Sequence, residues 1–130
     1  MPQKDSHVNQ AIRNLKFIDA GAQCYDIVGE YCEWYMTVKF YTALHLIDAV
    51  LAINQFHPSD HKARNTGIFK LKTMFSLNCA KRYHELYNFS KKARYLQGNA
   101  INSLKQDLND FEIAFEEIKN EIEEKHGIKI

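Results

Sequence analysis

An up-and-down bundle of four to five helices, all-α, is predicted by three features of the chain. Between residues 101 and 122, Ile101, Leu104, Leu108, Phe111, Phe115, Ile118 and Ile122 recur at intervals of three and four. That spacing is the seam of a bundle or coiled coil. Of the twenty residues 34–53, only Thr37, Lys39, Thr42, His45 and Asp48 are not apolar. A helix apolar nearly all round needs cover on most sides, which predicts a central position, with part of the helix buried in a homodimer. No stretch alternates with the period of a strand, and proline occurs only at positions 2 and 58.

The elements follow in order. Asp5 or Ser6 is a competent N-cap for a first helix carrying Val8, Ala11, Ile12, Leu15 and Ile18 at helical spacing. Gly21 and Gly29 bracket a weaker region. A second helix spans residues 31–55, and Pro58 requires it to have ended by His57. Ser59 or Asp60 caps a third helix, weakened by Gly67. A fourth covers residues 79–96, with Cys79, Leu86, Phe89, Ala93 and Leu96 as its core stripe and Gly98 as its stop. Asn99 caps the fifth, which Gly127 ends. At 130 residues the chain is expected to be one domain, 1–130, burying about two-thirds of the surface it exposes when unfolded.

Composition narrows the class. Three cysteines, Cys24, Cys32 and Cys79, are an odd number without CxxC spacing and read as reduced thiols. With no apolar signal region at the N-terminus, a cytoplasmic protein is expected. Lys39, His45 and Asp48 interrupt the longest apolar run and argue against a membrane span. The net charge of +1 hides a segregation. Residues 60–95 carry nine Lys and Arg against two acids, a net of +7, whereas 107–130 carry eight acids against three Lys, a net of −5. Either the basic segment attracts an anion such as phosphate, or basic and acidic helices pack together and neutralise each other.

Candidate chemistry concentrates in the polar corner at residues 57–64. His57 and His61 have the four-residue spacing of a helical metal pair, but Pro58 between them breaks the shared face and no third ligand is near in sequence, so no metal is expected. His61 and Arg64, one turn apart at the start of the third helix, are candidates for moving a proton and holding a phosphate. The alternative is a capped helix start with exposed imidazoles. His45 and Asp48, one turn apart in apolar surroundings, are expected to satisfy each other. Tyr83, Tyr87, Ser90 and Arg94 form one stripe that either grips nucleotides or packs as core. A P-loop, GxGxxG and GxSxG are missing, and the paired Glu-x-x-His motifs of di-iron bundles are not met, since only Glu123-x-x-His126 has that spacing.

The aromatic-rich second helix with Trp34-Tyr35 and Phe40-Tyr41-Thr42-Ala43-Leu44-His45, the His57-x-x-x-His61-x-x-Arg64 corner, and Tyr83-His84-Glu85-Leu86-Tyr87 with Ser90-Lys91-Lys92-Ala93-Arg94-Tyr95 together resemble the HEPN superfamily (higher eukaryotes and prokaryotes nucleotide-binding) over residues 8–120. The resemblance implies a helical homodimer that acts as a metal-independent ribonuclease, as a toxin or antitoxin partner of a nucleotidyltransferase, or as a non-catalytic nucleotide- or RNA-binding module. Catalytic members carry an Arg, four to six residues and a His. Here His84 follows Arg82 too soon, and after Arg94 no His occurs until His126, so no catalytic residue carries over. The expectation is a non-catalytic binding module with no cofactor, its cleft lined by His57, Asp60, His61, Arg64, Arg94 and Tyr95. The alternatives are a divergent ribonuclease using His61 and Arg64, and a structural dimer partnering a nucleotidyltransferase.

Overall fold

The computed structural model describes residues 2–24, 26–95 and 100–130, the side chain of 100 excepted. Five helices run in order: α1 (Lys4–Cys24), α2 (Cys32–Ile53), α3 (His61–Lys70), α4 (Leu77–Arg94) and α5 (Ala100–His126). Among the described residues there is no strand. α2 touches all four other helices, and α4 also packs along α5. The expected cap Asn99, stop Gly98 and core residue Leu96 lie outside the described residues.

The centre of α2 is buried as its composition requires. Met36, Phe40, Ala43, Ile47, Ala49, Val50 and Leu51 are inaccessible to water. Its ends depart from the expected interior rod: Trp34 is 61% and Ile53 47% exposed. Tyr35 and Met36 take the inward positions at that end, and a helix rotates 100° per residue, which turns Trp34 out. By length and composition alone α2 could cross a membrane, yet 72% of its most apolar window is covered by the other helices.

α5 buries Leu104, Phe111, Phe115, Ile118 and Ile122, with Ile101 and Leu108 half-buried. Burying such side chains is worth ~1.5–3 kcal/mol each, an upper bound because the denatured chain is already partly collapsed. Gly127, at φ +66, ends the helix in the left-handed conformation that glycine adopts without strain. Ser76 starts α4 two residues earlier than the apolar pattern suggested. Its Oγ accepts from the Cys79 N–H at 3.0 Å while its hydroxyl donates to Glu121 of α5.

Much of the charge segregation resolves between α4 and α5. Arg82 pairs with Glu117 and, at 3.1 Å, with Glu85, and Lys92 reaches Asp107 at 2.7 Å. The buried Lys39 lies 2.7 Å from Glu112, 2.8 Å from the Tyr35 hydroxyl and over the Phe115 ring. Mutual neutralisation of neighbouring helices therefore accounts for a share of the +7, and Arg94 is left outside it.

Candidate anion-binding site

The corner between α2 and α3 is built by backbone geometry. Gln55 takes a positive φ of 57, and the Phe56 N–H bonds back to the Leu51 carbonyl at 3.0 Å, closing the last turn. Pro58 keeps the next residues extended. Of the two expected caps, Asp60 serves: its carboxylate accepts from the Ala63 N–H at 2.7 Å. A Cβ on Gly67 would lie 3.1 Å from the Phe56 ring, so the small residue lets the corner fold down on α3.

The first turn of α3 faces Asp48 in the middle of α2. Arg64 donates through Nε at 2.7 Å to Asp48 Oδ1 and through Nη2 at 3.1 Å to Oδ2. Both side chains are buried, and this planar two-point contact is the strong form of an ion pair. The expected His45–Asp48 pairing is thus corrected: Asp48 belongs to Arg64, and His45 turns to α1, its Nδ1 3.1 Å from His7 Nδ1. Arg64, expected to hold a ligand, gives two of its donors to Asp48 and is 8% exposed. A guanidinium matches both carboxylate oxygens at once, which an imidazole cannot do. The Tyr83 hydroxyl is buried beside this pair, within the field of Arg64 but with no partner at hydrogen-bond distance among the described residues, and burial pushes its pKa up.

His61 sits at the edge of the pair. Its Nδ1 makes a long 3.4 Å contact with Arg64 Nη1. Guanidinium has no acceptor, so Nδ1 accepts and the ring proton is assigned to Nε2. The ring packs against Tyr87 at 5.2 Å and Phe40 at 6.1 Å between centroids. Burial first, then the charges of Arg64 and Arg94, hold the imidazole below its ordinary pKa. His61 is therefore neutral near pH 7.

Arg94, in the last turn of α4, reaches the same face of α2. Its Nη1 donates to the Tyr41 hydroxyl at 2.9 Å and its Nε to the Ser90 carbonyl at 3.3 Å. The guanidinium lies 5.8 Å from the centroids of Phe40, Tyr41 and Tyr95. Among the described residues no carboxylate comes within 4.0 Å of it. A half-buried cation held only by neutral acceptors keeps its charge available to an incoming anion.

The fold therefore brings His61, Arg94 and the 75%-exposed Tyr95 to one region around Phe40 and Tyr41. Asp60 is occupied as a helix cap. His57 lies in the corner on the side of His7, whose pKa it helps to lower after burial has done most of that. Among the described residues no three His, Cys, Asp or Glu side chains converge in a way that would hold a metal ion. Sequence reasoning missed Trp34 and Tyr41 as surface residues, because an all-apolar helix shows no outward stripe. Two adjoining grooves expose them. One, of about 340 Å³, is lined by Glu33, Trp34, Thr37, Ala93 and Arg94. The other, of about 320 Å³, includes Trp34, Thr37, Tyr41 and His45. No family model, curated protein or solved structure matches the chain.

Proposed function

We propose that this protein is a non-catalytic helical module that binds a phosphate-bearing ligand, a nucleotide or RNA, through Arg94. The supporting observation is the uncompensated guanidinium of Arg94, framed by aromatic rings and opening on a groove. Arginine beside exposed aromatics suits phosphate contact with base stacking. The resemblance to the HEPN superfamily points the same way. Titrating ATP and labelled RNA at two salt concentrations tests it. One charge-assisted hydrogen bond is worth ~1.5–3 kcal/mol, so Arg94→Ala should weaken binding about ten- to hundred-fold and flatten the salt slope. Undiminished binding in that variant would refute the reading.

A second reading has its own observation. A neutral imidazole within the field of Arg94 could serve metal-independent RNA cleavage once Nδ1 of His61 gives up its long 3.4 Å contact with Arg64. The freed nitrogen takes the 2′-hydroxyl proton, the 2′-oxygen attacks phosphorus while Arg94 holds the phosphate, and the proton passes to the departing 5′-oxygen. Cleavage that persists in EDTA and vanishes in His61→Ala would favour it over simple binding.

The same proposal includes a homodimer. An apolar groove of about 430 Å³ between α1 and α2 is lined by Phe17, Ile27, Tyr31, Trp34 and Val38. Exposed Arg13 and Lys16 lie on the α1 side and exposed Asp26 and Glu30 in the turn, opposite signs that two antiparallel copies would bring together. Sedimentation of Phe17→Glu beside the wild type tests this, with a monomeric variant expected. A cytoplasmic location is the reading that the free thiols Cys24, Cys32 and Cys79 favour.

A further inference from the structure

The Arg94 groove contains one group that a phosphate site does not need. Glu33, in the first turn of α2, lines the groove with Trp34 and Arg94. One of its carboxylate oxygens, Oε2, is shut off from water and has no hydrogen-bond partner among the described residues. Leaving a polar group buried and unsatisfied is costly, and such atoms are few in native proteins. No Lys, Arg or His nitrogen of the described residues lies within 4.0 Å of Glu33, Arg94 across the groove included. The groove thus presents an acceptor that wants donors, a cation that wants an anion and, between them in sequence, a 61%-exposed indole.

We infer that the groove is selective for a guanine nucleotide, an inference that rests on the anion-binding reading above. The three groups match the three parts of such a ligand. Trp34 offers a flat face on which a base stacks. The guanine N1–H and the exocyclic amine at C2 are adjacent donors on one edge, and a carboxylate is their two-oxygen complement. Adenine presents an acceptor, N1, beside its amine, so an ionised Glu33 repels it. Uracil and cytosine likewise place an acceptor on that edge. Meeting that edge requires Glu33 to change rotamer, so that Oε2, now shut off from water, turns to the groove that the residue lines. Arg94 then takes the phosphate. A volume of about 340 Å³ lies at the lower end of small-ligand sites, suited to one nucleoside monophosphate and too small for a dinucleotide.

Trp34 is the sole tryptophan of the chain and lines both this groove and the apolar α1–α2 groove, so its fluorescence is followed in Phe17→Glu beside the wild type to separate ligand binding from self-association. Titrating the full chain with GMP, IMP, AMP, CMP and UMP should give quenching with GMP at least ten-fold tighter than with AMP. IMP, which keeps N1–H and lacks the C2 amine, should fall between. A site that hydrogen-bonds a donor edge discriminates strongly against a ligand lacking it. In Glu33→Gln the side-chain amide pairs with the adenine edge, so the preference should shift toward AMP. In Arg94→Gln all five nucleotides should weaken by a similar factor and keep their order. GMP and AMP binding equally in the wild type, or a guanine preference that survives Glu33→Gln, would overturn the inference while leaving anion binding intact. Failure of every nucleotide to bind at millimolar concentration would remove both.

Discussion

Asp48 and Arg64 show how a single pair can decide the role of a residue. Each is costly to bury alone, and together they satisfy each other through two short bonds. Removing one partner strands the other charge, so Asp48→Ala should lower stability by about 3–5 kcal/mol. The double replacement Asp48→Leu with Arg64→Met should cost much less than twice that, and urea unfolding of Asp48→Leu, Arg64→Met and the double variant measures the coupling. The histidines make a different residue-scale prediction. His7, His45 and His61 all titrate below the ordinary value of 6.5, in each case through burial first. Below pH 6.5 the unfolded chain takes up protons that the folded chain refuses, so stability is complete above about pH 6.5 and declines as pH drops through the lowered folded values. Tm followed from pH 7.5 to 5 should fall. The fall should be shallower in His45→Gln, because the facing His7 and His45 nitrogens cannot both carry a proton at 3.1 Å.

At the scale of elements, the ends of helices carry information that their middles do not. The left-handed turn at Gln55 directs the chain into the corner that carries His57, Asp60 and His61. A non-glycine residue there bears strain of roughly 1 kcal/mol, so Gln55→Gly should raise stability by up to that amount, read as an increase in denaturation midpoint. Ser76 does the opposite work at the start of α4, where it both caps the helix and receives Glu121 of α5. Ser76→Ala should therefore cost about 1–2 kcal/mol, toward the upper end because Glu121 loses its hydroxyl partner as well. Burial first and then the hydrogen bonds from Ser76 bear on Glu121, and the hydrogen bonds prevail to hold its pKa low.

Across the whole molecule, the seam of α5 is the deepest apolar contribution from outside α2. Phe111→Ala should cost about 3–5 kcal/mol, since the ring is fully buried and packs edge-on against Phe89 of α4. The same packing disposes of charge: with Arg82 and Lys92 neutralised by α5 and Arg64 by α2, the basic segment offers its remaining cations unevenly. Lys81 and Lys91 are exposed and solvated, whereas Arg94 is half-buried among aromatic rings.

Helix content, the central place of the 34–53 run apart from its exposed ends Trp34 and Ile53, and the period of α5 were legible in the amino acids, because burial follows apolar spacing within one element and needs no knowledge of its neighbours. The Gly127 stop was readable for the same local reason, as was a cap at Ser59 or Asp60, between which the structure chose Asp60. Pairing was not. Asp48 had an equally good suitor one turn away in His45, and only the approach of α3 decided for Arg64. That choice withdrew Arg64 from the surface and left His45 to face His7. Trp34 belonged by composition to the core and by rotation to the surface, and no pattern internal to α2 distinguishes those outcomes. Partner choice depends on which helices meet and at what angle, a property of the assembled bundle that no one segment of chain contains.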